Sequence, residues 1–347
     1  MTEICILGAG HQGLAMAAHL ALNGEKINMW NRTASHIDVI AKTHQINCSG
    51  VVQGIGCINK CSDNISDVIS DIVMVTTPSS AHKDLARLLL PYIHKKMVII
   101  LNPGRTFGAV EFAEVFKSEG AKELPQIAET QSIVYTCRRT GINSSTIYAL
   151  KENVPISCLK ESNIDYIYSR IPRCIRGNFN KVSSIGYTSL SNVGMILHCA
   201  PVLMNIGWIE SEIVDFKYYY DGISRSIAAF LEKMDRERMN VAKALGFKIE
   251  SVMEWLKRTY EVSGDCLYEC IRNVDVYKEI DAPPTINCRY IFEDVPNGLV
   301  PIEFLGKSIG IDVSNITTII DLAESVTDCN YRLCGRTFSV SELAKYL

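Results

Sequence analysis

The feature that most restricts the fold is a glycine-rich turn between a short apolar strand and an apolar helix near the N-terminus. The segment "EICIL" predicts a strand, "GAGHQG" follows it directly, "LAMAAHLALNG" predicts a helix and "KINMW" predicts a second strand. In the G-x-G-x-x-G spacing of Gly8, Gly10 and Gly13, the glycines permit a tight turn, approach of a pyrophosphate and close helix packing, respectively. This βαβ context predicts a dinucleotide site that includes these glycines, His11 and Gln12.

The end of the second predicted strand bears on which dinucleotide binds. The segment "WNRT" lacks the carboxylate that would bind the ribose 2′-hydroxyl of NAD. Arg32, which follows Asn31, suits a 2′-phosphate instead, although a solvated arginine on an exposed turn is the alternative. The sequence therefore favours NADP(H), with NAD(H) as the second choice.

Alternating apolar strands and helices predict the fold class of the first half. The segments "DIVMVTT", "MVIIL", "PQIAET", "STIYAL" and "VPISCL" read as strands, and continuous apolar strands of this kind predict an α/β Rossmann fold with a doubly wound parallel sheet. Ligands of such sheets bind beyond the carboxyl ends of the strands, where Thr77, Arg105 and Thr130 lie. Arg105 could hold a carboxylate in a bidentate grip, or it could be a surface arginine in a glycine-rich turn.

The second half has helical periodicity from about Tyr187. We therefore predict an NAD(P)-binding Rossmann domain over residues 1–182 and an all-helical substrate domain over residues 183–347. The apolar segment "NVGMILHCAPVLMNIGW" predicts a buried helix bent near Pro201. It contains His198, the only histidine of the second half, which is either a structural residue bonded to a carbonyl or a general acid/base oriented by a carboxylate.

Composition excludes several other classes of function. A net charge of -3 supplies no basic field for nucleic acid or an anionic membrane. No apolar run reaches the roughly 18 to 20 residues that span a bilayer, and the N-terminal segment does not read as a signal peptide. The 13 cysteines indicate reduced thiols of a cytoplasmic protein. Because Cys57/Cys61 and Cys266/Cys270 lack further ligands at zinc-site spacing, no metal is expected.

Several segments together resemble the octopine/nopaline (opine) dehydrogenase family. The similarity runs from "ILGAGHQG" almost to the C-terminus and is most specific in "YTCR", "MDRERMNVAKALG" and "RYIFEDVPNGLVP". The resemblance implies a Rossmann domain followed by an all-helical domain. It also implies an enzyme that uses NADH or NADPH to reduce the imine formed between an amino acid and an α-keto acid, giving an N-(carboxyalkyl) amino acid.

The resemblance also implies roles for single residues. His198 matches the proton-relay histidine of the family, Asp294 its carboxylate partner, and Arg289 the arginine that holds the carboxylate of the amino substrate. The remaining matches are the keto-acid residues Arg105 and Thr130, the residue Asn192 before the catalytic helix, and the cofactor turn Thr77–Pro78. In one departure from the family, Cys199 stands where a proline usually follows the histidine, and the proline comes at Pro201.

Two alternatives remain open from the sequence. A 2-hydroxy-acid or polyol-phosphate dehydrogenase would share the Rossmann domain but would require no amine. A non-catalytic dinucleotide-binding regulator would tolerate the loss of His198. In each case the partners expected are small molecules, and a homodimer is the commonest assembly for such a chain.

Overall fold

The computed structural model describes residues 3–347, which form two compact units. The first comprises residues 3–189 together with Tyr346 and Leu347, and the second comprises residues 190–345. The division between the units falls a few residues after the domain boundary predicted at 182/183. Within the first unit, the Tyr346 hydroxyl contacts Lys117 and Glu114, which joins the C-terminal residues to it.

The strands of the first unit form two sheets. The strands are β1 (Glu3–Leu7), β2 (Lys26–Trp30), β3 (Gln45–Gly50), β4 (Gly54–Cys57), β5 (Lys60–Ser62), β6 (Ile72–Val75), β7 (Val98–Leu101), β8 (Gln126–Thr130), β9 (Tyr135–Gly141), β10 (Ser144–Leu150), β11 (Val154–Cys158) and β12 (Phe179–Lys181). The larger sheet has eight strands in the order β12-β11-β8-β7-β6-β1-β2-β5. All of its neighbouring strands are parallel except β11, which runs antiparallel to β8.

The predicted doubly wound sheet is therefore confirmed, with two corrections. The segment "VPISCL" forms β11, which pairs with β8 in the antiparallel direction. The segment "STIYAL" lies in β10, which belongs to the smaller sheet of order β4-β3-β10-β9. The residues of β6 and β7 are buried throughout, as in a sheet covered on both faces, whereas β10 has exposed positions among its buried ones.

The first unit also contains helices, several of which pack against the sheets. They are α1 (His11–Leu22), α2 (Asp38–Thr43), α3 (His82–Leu89), α4 (Gly108–Ser118), α5 (Ile164–Arg170), α6 (Arg173–Arg176) and α7 (Ile185–Leu190), whose last residue belongs to the second unit. Helix α1 is buried from Gln12 to Leu20 because the smaller sheet also packs against it. At Gly56 a Cβ would lie 2.8 Å from the Ala18 backbone, so a glycine is required for β4 to approach the helix this closely.

The second unit is helical, as predicted. Its helices are α8 (Gly194–Met204), α9 (Ile206–Ile209), α10 (Arg225–Ala244), α11 (Val252–Tyr260), α12 (Leu267–Asn273), α13 (Arg289–Phe292), α14 (Val300–Ser308), α15 (Ser314–Thr327), α16 (Tyr331–Cys334) and α17 (Val340–Leu343). The one predicted helix around Pro201 is instead two, because α8 contains Pro201 and ends at Met204, and α9 begins at Ile206. Across residues 3–347, the helices are too short or too polar to traverse a lipid bilayer.

Buried polar contacts hold the long helix α10 in the second unit. Ser224 caps its N-terminus by accepting a hydrogen bond from the Ile227 backbone. The Arg238 guanidinium is fully buried, pairs with Asp235 at 2.7 Å and donates to the Leu190 carbonyl at 2.6 Å. A buried cation is stable only with such partners, so Arg238 ties α10 to the segment that leads into α8.

Candidate functional site

The glycine-rich turn has the geometry of a phosphate-binding loop. It connects β1 with α1, and Gly8 has a φ of +111°, which a residue with a side chain rarely adopts. At Gly13 a Cβ would lie 1.9 Å from the Gly8 carbonyl oxygen, so the helix can pack here only against a glycine. At Gly10 a Cβ would meet no protein atom within 4 Å. The backbone at Gly10 is therefore open to an approaching phosphate.

Asn31 and Arg32, both predicted to bind the cofactor, have different environments. The Asn31 side chain accepts a hydrogen bond from the Ala9 backbone at 3.1 Å and donates to the Thr33 carbonyl at 3.0 Å. Asn31 thus holds the glycine-rich turn in place. Arg32 is exposed, and it makes no hydrogen bond or ion pair with any residue that the structure describes. Its guanidinium is available to a ligand.

Two buried polar atoms near the turn are unsatisfied within residues 3–347. They are Nε2 of Gln12 in the first turn of α1 and Oγ1 of Thr77, which follows β6. A buried polar group without a partner costs about 1 to 3 kcal/mol, so a ligand that bonds to these atoms recovers that free energy. The neighbouring Pro78 is exposed at the same turn. These residues fit a dinucleotide bound along the turn.

Arg139 supports the same region and was not identified from the sequence. Its guanidinium donates to the carbonyls of Ala9, Gly141 and Ile142 at 3.0, 2.9 and 3.2 Å. Its backbone N–H donates to Nδ1 of His11 at 2.8 Å. The hairpin of β9 and β10 is thereby fastened to the glycine-rich turn. The available signal was its position directly after "YTCR", one of the segments that resemble the family.

The carboxyl ends of β7 and β8 carry a second group of predicted residues. Arg105 follows β7, is half-buried and has a positive φ of 59°. Thr130 ends β8, is buried, and donates its hydroxyl to the Leu101 carbonyl at 3.3 Å. Thr130 therefore braces the two strand ends against each other, and its hydroxyl proton is engaged within the protein.

Lys151 is a further cation at this edge and was also not identified from the sequence. Its Nζ donates to the Ser132 hydroxyl at 3.2 Å, and among residues 3–347 no carboxylate forms an ion pair with it. Burial lowers the pKa of Lys151 to about 8; the Cys137 thiol acts to raise it, and the positive charge of Arg105 lowers it further. A lysine whose pKa is lowered by burial and by a neighbouring cation marks this edge as a candidate functional site.

In the second unit, His198 is bonded through both ring nitrogens. Its Nδ1 lies 2.7 Å from Oδ2 of Asp294, and its Nε2 lies 3.1 Å from the Tyr219 hydroxyl. The ring also stacks on Tyr290, with 4.0 Å between the centroids and 16° between the planes. The Asp294 side chain is fully buried, whereas 14% of the His198 side chain is exposed. The structure thus joins the predicted histidine and carboxylate and adds two tyrosines.

The backbone around His198 explains how Asp294 reaches it. A π-helical turn, Val295–Leu299, directly follows Asp294. Within it, a Cβ at Gly298 would lie 2.7 Å from the Met195 Cβ, so only a glycine lets this turn pack so tightly against α8. Cys199, which departs from the family pattern, donates its thiol to the Tyr290 carbonyl at 3.4 Å. This contact ties α8 to the segment that carries Asp294.

Arg289 and Asn192 lie close to this group in the chain. Arg289 begins α13 directly before Tyr290; its side chain is 51% exposed, and its Nε lies 3.4 Å from Oε2 of Glu293. Asn192 is buried just before α8. Arg289 can therefore present a charge to a ligand, whereas Asn192 belongs to the packed interior of its segment.

Comparisons with known proteins find relatives for both parts of the chain. Residues 181–327 match the model of the "NAD/NADP octopine/nopaline dehydrogenase, alpha-helical domain", and residues 3–114 match the "NAD-dependent glycerol-3-phosphate dehydrogenase N-terminus". "Opine dehydrogenase" of Arthrobacter sp. (strain 1C) is 33% identical over 339 residues, which cover 96% of this chain and 92% of that protein.

Two solved structures share the fold. Yersinopine dehydrogenase with NADP+ bound has a TM-score of 0.80 at 12% identity, with 94% of this chain and 91% of that chain covered. Octopine dehydrogenase with NADH and L-arginine has a TM-score of 0.75 at 15% identity, with 94% and 90% covered. At such identities these likenesses concern the architecture alone.

Proposed function

The chain belongs to the opine dehydrogenase family of NAD(P)-dependent oxidoreductases, and from this premise we propose that His198 and Asp294 handle the protons of its reaction. That reaction is the reductive condensation of an amino acid with a 2-oxo acid. The observation that carries the assignment is the 2.7 Å hydrogen bond between Nδ1 of His198 and the fully buried Asp294 carboxylate.

The Asp294 carboxylate determines what His198 can do. By accepting the Nδ1 hydrogen, it selects the tautomer whose Nε2 is free of a proton, and it stabilises the imidazolium when Nε2 gains one. His198 can then take a proton from the ammonium group of the amino acid, which frees the nitrogen lone pair to attack the 2-oxo acid, and can later give that proton to the hydroxyl of the carbinolamine. The C–O bond breaks, the nitrogen lone pair forms the C=N bond, and water leaves.

The two substrate carboxylates require two cationic sites. We assign the carboxylate of the amino acid to Arg289 for two reasons. Its side chain is half exposed, and Arg289 directly precedes Tyr290, the residue that stacks on His198. We assign the carboxylate of the 2-oxo acid to Arg105, supported by the positive charge of Lys151. Thr130 and Asn192 then support these sites from buried positions.

The residues of the glycine-rich turn fit an NAD(P) cofactor. The open backbone at Gly10 and the buried atoms of Gln12 and Thr77 would bind it. When bound, the reduced cofactor supplies the hydride for the imine carbon. NADPH is the proposed choice because the exposed Arg32 has no partner within residues 3–347 and suits a 2′-phosphate.

A two-substrate assay tests this function. NADPH or NADH oxidation is followed at 340 nm with a series of 2-oxo acids, each with and without a series of amino acids. The proposal expects oxidation that requires both substrates and is lost in His198→Ala. Oxidation with a 2-oxo acid alone, unchanged by any amine, would instead indicate a hydroxy-acid dehydrogenase.

We also propose a cytoplasmic location and a homodimeric assembly. All 13 cysteines are free thiols, which suits a reducing compartment, and two-fold dimers are the commonest assembly among soluble oligomers. Cell fractionation tests the location. Light scattering coupled to size-exclusion chromatography tests the assembly, and a mass equal to one chain would contradict the dimer.

A further inference from the structure

Tyr219 lies at the ring nitrogen of His198 that Asp294 does not contact. We propose that the Tyr219 hydroxyl carries the proton between Nε2 of His198 and the oxygen of the carbinolamine. The proposal rests on the function proposed above and adds a catalytic residue to it. The 3.1 Å distance between Nε2 and the Tyr219 oxygen is a hydrogen-bonding distance.

The surroundings of His198 direct its proton towards Tyr219. Nδ1 is bonded to Asp294, and one face of the ring is covered by Tyr290 at 4.0 Å. The backbone carbonyl of His198 accepts a 2.6 Å hydrogen bond from the Tyr218 hydroxyl, which restrains the main chain of α8 at this position. With the ring held on these sides, the Tyr219 oxygen is positioned to exchange a proton with Nε2.

The Tyr219 ring is itself held firmly. It is 5% exposed and stacks on Tyr277, with 4.1 Å between the centroids and 15° between the planes. It also meets Tyr218 edge to face at 4.9 Å. A ring packed on two sides keeps its hydroxyl oriented, which proton transfer requires.

The relay needs no ionised tyrosine. Burial raises the pKa of Tyr219 well above its usual value, and the neighbouring Tyr290, Tyr260 and Asp294 act in the same direction. The two transfers must therefore be concerted. As the imidazolium gives its Nε2 proton to the Tyr219 oxygen, the proton already on that oxygen passes to the hydroxyl of the carbinolamine.

Atoms and charges balance in this step. The C–O bond breaks and water leaves, while the nitrogen lone pair of the carbinolamine forms the C=N bond. His198 ends as a neutral imidazole and Tyr219 ends as it began, so nothing is oxidised or reduced. In the reverse direction the same atoms carry a proton from water to His198.

Tyr219→Phe and Tyr277→Phe form a matched pair for the test. The first removes only the hydroxyl at His198 and keeps the ring that stacks on Tyr277. The second removes a hydroxyl from the other ring of the same stack. Positioned proton transfer contributes about 10²- to 10⁴-fold to a rate. We expect kcat of Tyr219→Phe to fall about 100-fold or more, with the KM for the cofactor unchanged, and Tyr277→Phe to stay within about threefold of the wild type.

A proton inventory of the single-turnover condensation rate supplies a readout that packing would not change. Two protons in flight predict a curved dependence on the deuterium fraction in the wild type. A linear dependence, wild-type kcat in Tyr219→Phe, or equal losses in the two tyrosine variants would each overturn the relay. His198→Ala separates the two proposals. If His198→Ala is inactive and Tyr219→Phe is active, only the relay is overturned. If His198→Ala keeps wild-type activity, the proposed role of the histidine is overturned as well.

Discussion

Replacing Lys151 by methionine is expected to stabilise the protein at neutral pH. Burial is the main cause that lowers the pKa of Lys151 from its ordinary value of 10.5 to about 8, with the Arg105 charge adding to it and the Cys137 thiol opposing it. A difference of about 2.5 pKa units corresponds to an upper limit of about 3 kcal/mol of unfavourable free energy in the charged, folded state. Methionine has a similar length and removes this cost.

The pH dependence of this effect has a definite sign. Between about pH 8 and pH 10.5, the folded protein binds fewer protons at Lys151 than the unfolded chain does, so the stability of the wild type rises with pH across that window. The cost is complete below about pH 8 and absent above about pH 10.5. The advantage of Lys151→Met should therefore be largest at neutral pH and vanish at high pH.

Urea unfolding at pH 7 and at high pH measures this difference. We expect Lys151→Met to raise the free energy of unfolding by about 1 to 3 kcal/mol at pH 7. The exposed Lys122, replaced by methionine, is the control and should show a difference close to zero at both pH values. A destabilised Lys151→Met, or a gain that does not change with pH, would refute the reasoning.

The same variant tests why such a costly residue is present. If Lys151 supports the binding of a carboxylate, Lys151→Met should raise the KM for the 2-oxo acid and leave the affinity for the cofactor unchanged. A gain in stability paired with a loss of function is the usual trade-off at a binding site. An unchanged KM for the 2-oxo acid would exclude Lys151 from that site.

Other predictions concern the cofactor site and the histidine. Arg32→Ala should raise the KM for NADPH about tenfold or more and leave the KM for NADH unchanged, and equal effects on both would contradict a 2′-phosphate contact. Gly10→Ala should keep the melting temperature and weaken cofactor binding, whereas Gly13→Ala should lower the melting temperature, because only the second Cβ meets protein atoms. Asp294→Asn should lower kcat about 100-fold or more while cofactor affinity is kept, and wild-type kcat would refute the role of the carboxylate in orienting His198.

Much of the architecture could be predicted because strands, tight turns and helices are each encoded by residues that are contiguous in the chain. The strand, glycine-rich turn and helix at the N-terminus are contiguous, and so are the apolar periods of α10, α11 and α15. The smaller sheet was not predicted, because the parallel pairing of β3 with β10 joins residues such as Asn47 and Ser144 that lie far apart in the chain. No local pattern specifies such a partner.

The candidate site shows the same limit. His198 and Asp294 are 96 residues apart, and only the family resemblance suggested that they pair. Tyr219 was visible in "YYYDG", but its contact with Nε2 depends on how α8 packs. Lys151 looks like an ordinary charged residue after a strand, and its importance comes from burial and from the nearby Arg105, which composition does not reveal.

The most direct test of the central claim is the identity and amount of product formed by the active substrate pair. Mass spectrometry of the reaction mixture, with the amino acid labelled by ¹⁵N, should show a secondary amine dicarboxylate that contains the label, formed in equal amount to the NADPH consumed. His198→Ala should form none of this product in the same time. NADPH consumption that yields a hydroxy acid, or a product without ¹⁵N, would contradict the account.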